Sequence, residues 1–299
     1  MADASVPEVD SEALIKPARA GELHLTKWES FLDSWDARIK TVPSRTIFYT
    51  ATFFLSTLLL ACGALIWCFA HYKNHGAQIK DCKSFFLNIE VGNLNDWVVP
   101  AGCGSFVKDY TENGQYAADF AAVVETVRAY VNTLGPPASD GLDLWMLDID
   151  ETSLSNVPFF ERMYTHWGED EWTDAVQAVW DRWVLEGTAK ALAPTLALFH
   201  EMRSAGWQIA FITGRDESQR NVTIENLLAV GYSGWQSLTL RTPEEIHDPA
   251  ALYKSRHRQE LVLRGFRIHG GMGDQWSDLQ GPASGTRTFK LPNPMYYVG

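Results

Sequence analysis

Hydrophobic and polar positions fall into three regimes along the chain. Residues 1 to about 45 are polar and mixed in charge, with apolar residues at helix-like intervals only from Leu23 to Trp35. This stretch is expected to be a mostly flexible tail with a hint of local helix. Thr46 to Ala70 then contains no charged side chain. As a helix it would extend about 37 Å at about 1.5 Å per residue, more than the hydrocarbon core of about 30 Å. The run therefore reads as a transmembrane segment. The long polar stretch before it favours a signal anchor, with cleavage near Cys68 and Ala70 as the alternative.

From residue 78 to 299 the pattern switches repeatedly between short apolar runs and helical spacing. Helices are predicted over Ala117–Leu134, closed by Pro136 and Pro137, and over Glu169–Glu186, which is rich in tryptophan. Further helices are predicted over Ala193–Ser204 before Gly206, over Glu217–Val230 capped by Gly231, and over Lys254–Arg264 closed by Gly265. Strands are predicted over Leu142–Leu147, Trp207–Thr213, Phe266–Met272 and Arg287–Leu291. This alternation predicts one α/β domain, a mostly parallel sheet with helices on both faces.

Composition narrows the picture. Hydrophobic residues make up 46% of 299, which suits a folded chain. The formal net charge of −12 argues against nucleic acid as a partner, because a basic patch that releases counterions is lacking. Nothing in the sequence speaks against a homo-oligomer. Arg38, Lys40 and Arg45 before the apolar run nearly balance Lys73, Lys80 and Lys83 after it. The lean is to a cytosolic N-terminus, because Arg45 abuts the run. Residues 78–299 would then be lumenal or extracellular, in the secretory pathway, the vacuole or at the cell surface. Of four cysteines, Cys62 and Cys68 lie in the apolar run. Cys82 and Cys103 follow it and can pair in an oxidising compartment, or remain buried free thiols. Asn221-Val222-Thr223 is a glycosylation sequon, consistent with the same compartment.

In a parallel sheet, ligands bind beyond the carboxyl ends of the strands, and three predicted strands end there in polar clusters. Asp148 and Asp150 follow Leu144–Leu147, and paired carboxylates can serve as nucleophile and general acid. Thr213, Gly214 and Arg215 follow the second strand, and a hydroxyl with nearby N–H groups can hold a phosphate oxygen. Arg215 fits phosphate geometry or a structural ion pair equally well. Asp274 and Asp278 follow the third strand, and their hard oxygens suit Mg²⁺. Lys254, on a helix, would neutralise part of this charge. Taken singly, each feature is commonplace; a Thr at a strand end or a surface Lys is usually no more than that.

Together they form a pattern. Leu144–Leu147 followed by Asp148-Ile149-Asp150-Glu151-Thr152 resembles the first motif of the haloacid dehalogenase superfamily, and Thr213, Lys254 and Gly273-Asp274…Asp278 follow in that superfamily's order. The strings Val91-Gly92-Asn93-Leu94-Asn95-Asp96-Trp97, Asp274-Gln275-Trp276-Ser277-Asp278 and Lys290-Leu291-Pro292-Asn293-Pro294-Met295-Tyr296-Tyr297 resemble more closely the plant acid phosphatase and vegetative storage protein family, of class B type. The resemblance implies a Rossmann-like fold with a small cap over about 153–191, preceded here by the transmembrane helix. It implies Asp148 as nucleophile and Asp150 as acid and base. It implies Thr213, Gly214, Arg215 and Lys254 at the phosphate of a small phosphorylated metabolite. Asp148, Asp274 and the Asp150 carbonyl would hold Mg²⁺, with Asp278 orienting that set or Lys254. The expected activity is Mg²⁺-dependent hydrolysis of phosphate monoesters through an aspartyl-phosphate; the alternative is a storage protein with little turnover. Trp167, Trp172, Trp180 and Trp183 are expected to be mainly helix core, and Asn156 to stabilise its loop.

Overall fold

The computed structural model describes residues 29–35, 43–74 and 81–299. The chain divides into two compact units, Met1–Gln78 and Ile79–Gly299. In the first, α1 (29–35) covers the C-terminal half of the Leu23–Trp35 expectation. The remainder of that expectation, most of the tail reading and residues 78–80 lie outside the described residues. The apolar run forms one helix, α2 (Ser44–Asn74). Its Phe48–Leu65 stretch has a mean hydropathy of 1.7 and no buried residue. Threonine and serine hydroxyls inside it return to carbonyls a turn earlier, as Thr52 does to Phe48 at 2.9 Å. That leaves their polar groups satisfied on an apolar surface.

The second unit is built on a five-stranded sheet in the order β5-β4-β1-β6-β7, with every pairing parallel. The strands are β1 (Asp143–Leu147), β4 (Gln208–Asp216), β5 (Ser237–Arg241), β6 (Arg267–Gly273) and β7 (Arg287–Lys290). β1 is central and buried throughout, which is why Leu144–Leu147 reads as an unbroken apolar run. Its side chains alternate between two cores. Trp145 and Leu147 join the larger one, with Phe120, Val124 and Val127 of α5 (Gln115–Leu134) and Leu198 and Phe199 of α8 (Ala193–Ser204). Leu144 and Met146 point the other way, onto Tyr253 and Leu261 of α10 (Ala250–Leu263). Each such fully buried side chain contributes roughly 1.5–3 kcal/mol.

Before β1, α3 (Cys82–Glu90) and α4 (Gly104–Glu112) are joined at their starts by a Cys82–Cys103 disulfide, with the Cα atoms 5.5 Å apart. Of the two cysteine readings, the bonded one holds. Between β1 and α8 lies an insertion closed at its base by a two-stranded antiparallel ribbon, β2 (Leu154–Ser155) with β3 (Lys190–Ala191). It carries α6 (Val157–Arg162) and α7 (Asp174–Glu186). α7 starts later than the Glu169 expected from its pattern, because the Thr173 hydroxyl accepts from Val176 N and caps it there. The expected helix from Glu217 starts as a 3₁₀ turn, and α9 covers Arg220–Ala229. α10 begins at Ala250, so Lys254 lies one turn inside it rather than at its start.

Candidate active site

The loop after β1 folds back on itself. Ile149 O accepts from Ser153 N and Leu154 N, both at 2.8 Å, and Ser153 Oγ donates to Asp148 O at 2.8 Å. Glu151 sits at φ +51°, a conformation that L residues adopt only when other contacts hold it. Those contacts are Asn156 N at 2.6 Å, Asn156 Nδ2 at 3.1 Å and the Tyr296 hydroxyl. Burial, then the nearby Asp274 and Asp150, push the Glu151 carboxyl up to about 8. Asn156 thus stabilises the loop. It also donates to Asp150 Oδ1 at 2.9 Å and accepts from Trp183 Nε1 at 2.8 Å.

Asp148 is buried, and its Oδ1 accepts from Lys254 Nζ at 2.8 Å. Lys254 also bonds Asp278. α11 (Trp276–Leu279) places Asp278 back against the end of β6, where a Cβ on Gly273 would come within 2.3 Å of the Asp278 carboxylate. Only glycine permits that approach. Asp274 is buried: Oδ2 accepts from Asn293 Nδ2 at 2.7 Å and Gln275 Nε2 at 2.8 Å, and Oδ1 from Thr152 Oγ1 at 3.3 Å. One carboxylate oxygen from each of Asp148, Asp274 and Asp278 lies within 4.8 Å of the others.

This clustering is costly without a further cation. Burial raises the Asp148 carboxyl well above the usual range, with Asp278 and Asp274 adding to the shift against the pull of Lys254. Burial and then Asp278 raise Asp274 to about 6. Three buried carboxylates facing one ammonium form a donor set that fits a hard divalent cation.

The Asp150 side chain points elsewhere. Arg215 grips it with Nε at 3.0 Å from Oδ2 and Nη2 at 2.7 Å from Oδ1. Burial pushes the Asp150 carboxyl up, but the Arg215 charge and the bonds from Arg215 and Asn156 outweigh this and hold it below the ordinary value. The two readings of Arg215 thereby separate: in this arrangement its guanidinium is committed to a buried ion pair. Thr213 is fully buried, and its Oγ1 accepts from Arg215 N at 3.2 Å. Gly214 is exposed on the cleft and a Cβ there would meet nothing within 4 Å. Asn221 is exposed in the first turn of α9, while Thr223 of its sequon is buried and accepts from Arg215 Nη1 at 3.2 Å.

Asp148, Asp150, Lys254, Asp274, Gly214 and Arg215 share one open cleft of about 530 Å³. Trp172, Trp180 and Tyr296 form an aromatic wall on it, with ring centroids 5.9–6.4 Å apart. The tryptophans therefore divide: Trp167 and Trp183 are core, whereas Trp172 and Trp180 line the cleft, which corrects the expectation of helix core for that pair. Thr152, Asn293 and Tyr296, all within motif strings, received no role from sequence.

The profile of the HAD superfamily, subfamily IIIB (acid phosphatase), matches residues 69–299. The chain belongs to this family. It is 39% identical to Acid phosphatase 1 of Solanum lycopersicum over 74% of this chain and 86% of that one. It is 35% identical to Vegetative storage protein 1 of Arabidopsis thaliana over 73% of this chain and 79% of that one. A class C acid phosphatase from Bacillus anthracis, crystallised with tungstate bound, shares the fold at a TM-score of 0.51 and 21% identity, covering 65% of this chain and 85% of that one. The HAD acid phosphatase fold expected from the motifs is thus the fold found, and a divalent metal is the cofactor class of this superfamily.

Proposed function

We propose that the chain hydrolyses phosphate monoesters of small metabolites through an aspartyl-phosphate on Asp148, with Mg²⁺ as cofactor. The observation that carries this reading is the buried set of Asp148, Asp274 and Asp278 around Lys254 at the ends of β1 and β6. Asp148, Asp274 and the backbone carbonyl of Asp150 would hold the ion, with Asp278 steering Lys254. When bound, the ion offsets the carboxylate charge and draws electron density from the phosphoryl oxygens.

Lys254 fixes Asp148 Oδ1 and leaves Oδ2 without a hydrogen-bond donor among the described residues. Oδ2 attacks phosphorus, and the bond from phosphorus to the alcohol oxygen breaks. Asp150 gives that oxygen a proton. Asp150, now ionised, takes a proton from the water that attacks phosphorus and frees Asp148. Thr213 and Gly214 bound the phosphoryl position. Because Arg215 holds Asp150 below the ordinary range, loading its proton needs low pH; this supports a rate that rises on acidification. The intact carboxylate set favours turnover over a storage role.

α2 is read as a single-pass anchor. The Cys82–Cys103 disulfide supports a lumenal or extracellular catalytic domain, since such bonds persist in oxidising compartments. Asn221, exposed, is read as a glycosylation site.

The test is hydrolysis of a chromogenic phosphate ester by wild type and Asp148→Asn, with Mg²⁺ or with chelator. Wild type should lose activity in chelator and regain it with Mg²⁺, and Asp148→Asn should fall by about 10³-fold or more. Equal rates for the two proteins would remove Asp148 as nucleophile.

A further inference from the structure

Three cations line the cleft: Lys254, Arg215 and Arg241. Lys254 is committed to Asp148 and Asp278, and Arg215 to Asp150. Arg241 differs. It ends β5 in register with Asp216 of β4, at the carboxyl edge of the sheet. Its Nη1 donates to Glu245 O at 2.9 Å and Asp248 O at 2.7 Å, and its guanidinium lies 4.7 Å from the Tyr253 ring centroid. The side chain is thereby fixed and 8% exposed. The donors on Nε and Nη2 meet no hydrogen-bond acceptor among the described residues; the neighbouring Asp216 carboxyl feels the Arg241 charge but makes no hydrogen bond to it. A buried, immobilised guanidinium with an open edge toward a cleft is a preorganised receptor for a planar or tetrahedral anion.

Resting on the hydrolase reading above, we propose that Arg241 is a specificity-determining residue. It binds a second anionic group, a carboxylate or a second phosphate, on the alcohol portion of the phosphomonoester. The phosphoryl group sits over Asp148, the carbon skeleton lies along Trp172, Trp180 and Tyr296, and the remote anion meets Nε and Nη2 of Arg241. A neutral alcohol leaves those donors to water and gains nothing from them.

Two matched pairs test this with the full chain in detergent: 3-phosphoglycerate against glycerol 3-phosphate, and 1,3-propanediol bisphosphate against propyl phosphate. Wild type should show a higher kcat/KM for the anionic member of at least one pair, and the pair that responds distinguishes carboxylate from phosphate. In Arg241→Gln that preference should shrink about tenfold or more, the worth of one charge-assisted contact, and Arg241→Lys should keep part of it. The ratio within a pair is unaffected by a change in the folded fraction. No preference in wild type for either pair, or a preference unchanged in Arg241→Gln, would overturn the assignment. If none of these esters were hydrolysed, the chromogenic ester above would still decide the hydrolase reading on its own. Calorimetric titration of the same esters into Asp148→Asn, with and without Arg241→Gln, would then decide on Arg241. Tighter binding of the anionic members that vanishes with the arginine sustains it, and equal binding rejects it.

Discussion

Moving the chelator-treated chain from about pH 4 to about pH 7 should weaken its fold, and Mg²⁺ should cancel the loss. Burial and Asp278 hold the Asp274 carboxyl at about 6, against an ordinary 3.8. A carboxyl raised in this way binds more protons folded than unfolded across the interval. Stability is then full below about 3.8 and declines as pH climbs through about 6. At about 1.36 kcal/mol per pH unit, Asp274 alone accounts for about 3 kcal/mol. Asp148 shifts in the same direction. For a unit of this size about 3 kcal/mol corresponds to a fall in Tm of about 6–12 °C. Groups with lowered values, such as Glu245 at about 2, act in the opposite sense. They act equally with and without metal, so the difference between the two melting curves isolates the cluster. A Mg²⁺ ion held by the ionised carboxylates would remove the penalty. The assay is thermal denaturation across this pH range in chelator and in excess Mg²⁺ at constant ionic strength. Two parallel curves would refute the account of a carboxylate cluster that needs a cation.

Lys254→Met leaves Asp148 and Asp278 buried without their ammonium; urea unfolding should report a loss of about 3–5 kcal/mol, with activity abolished. Replacing Cys82 and Cys103 by Ser opens a loop of sequence separation 21, for which the same measurement should show a loss of about 3 kcal/mol. Gly168 adopts φ +86°, and an added Cβ would lie 2.1 Å from Met295 O and 2.8 Å from Val99 Cγ2. Gly168→Ala should therefore cost about 1–3 kcal/mol, read as a lowered Tm.

Asp148 and Asp274 were legible because each directly follows a buried strand, Asp278 because it lies four residues after Asp274, and Lys254 through the order of the motifs, since its helix carries little apolar periodicity. β1 and β4 are interior strands, so Leu144–Leu147 and Ile209–Ile212 read as unbroken apolar runs. β5 was not anticipated: three of its five residues, Ser237–Thr239, are only partly buried, and Ser-Leu-Thr-Leu-Arg has no continuous apolar signal. Its absence from the sequence reading also hid Arg241. The Asp150–Arg215 pair could not be chosen over a phosphate contact, because a guanidinium fits both partners and only tertiary placement decides. The tryptophans divide for a similar reason. Trp183 faces inward on α7 and finds Asn156, while Trp180, one turn earlier, faces the cleft. Spacing shows that two such residues lie near one face, not which of them meets solvent. Asn293 and Thr152 support Asp274 from positions far off in sequence, so no local pattern could link them to it.

The central place of β1 has a consequence for timing. Its neighbours β4 and β6 lie more than fifty and more than one hundred residues downstream. Lys254 and Asp274 emerge from the ribosome long after Asp148, so a nascent chain lacks the gathered carboxylates and their lysine until β6 is made. The cluster therefore exists only once the finished sheet closes, and no shorter piece of the chain carries it whole.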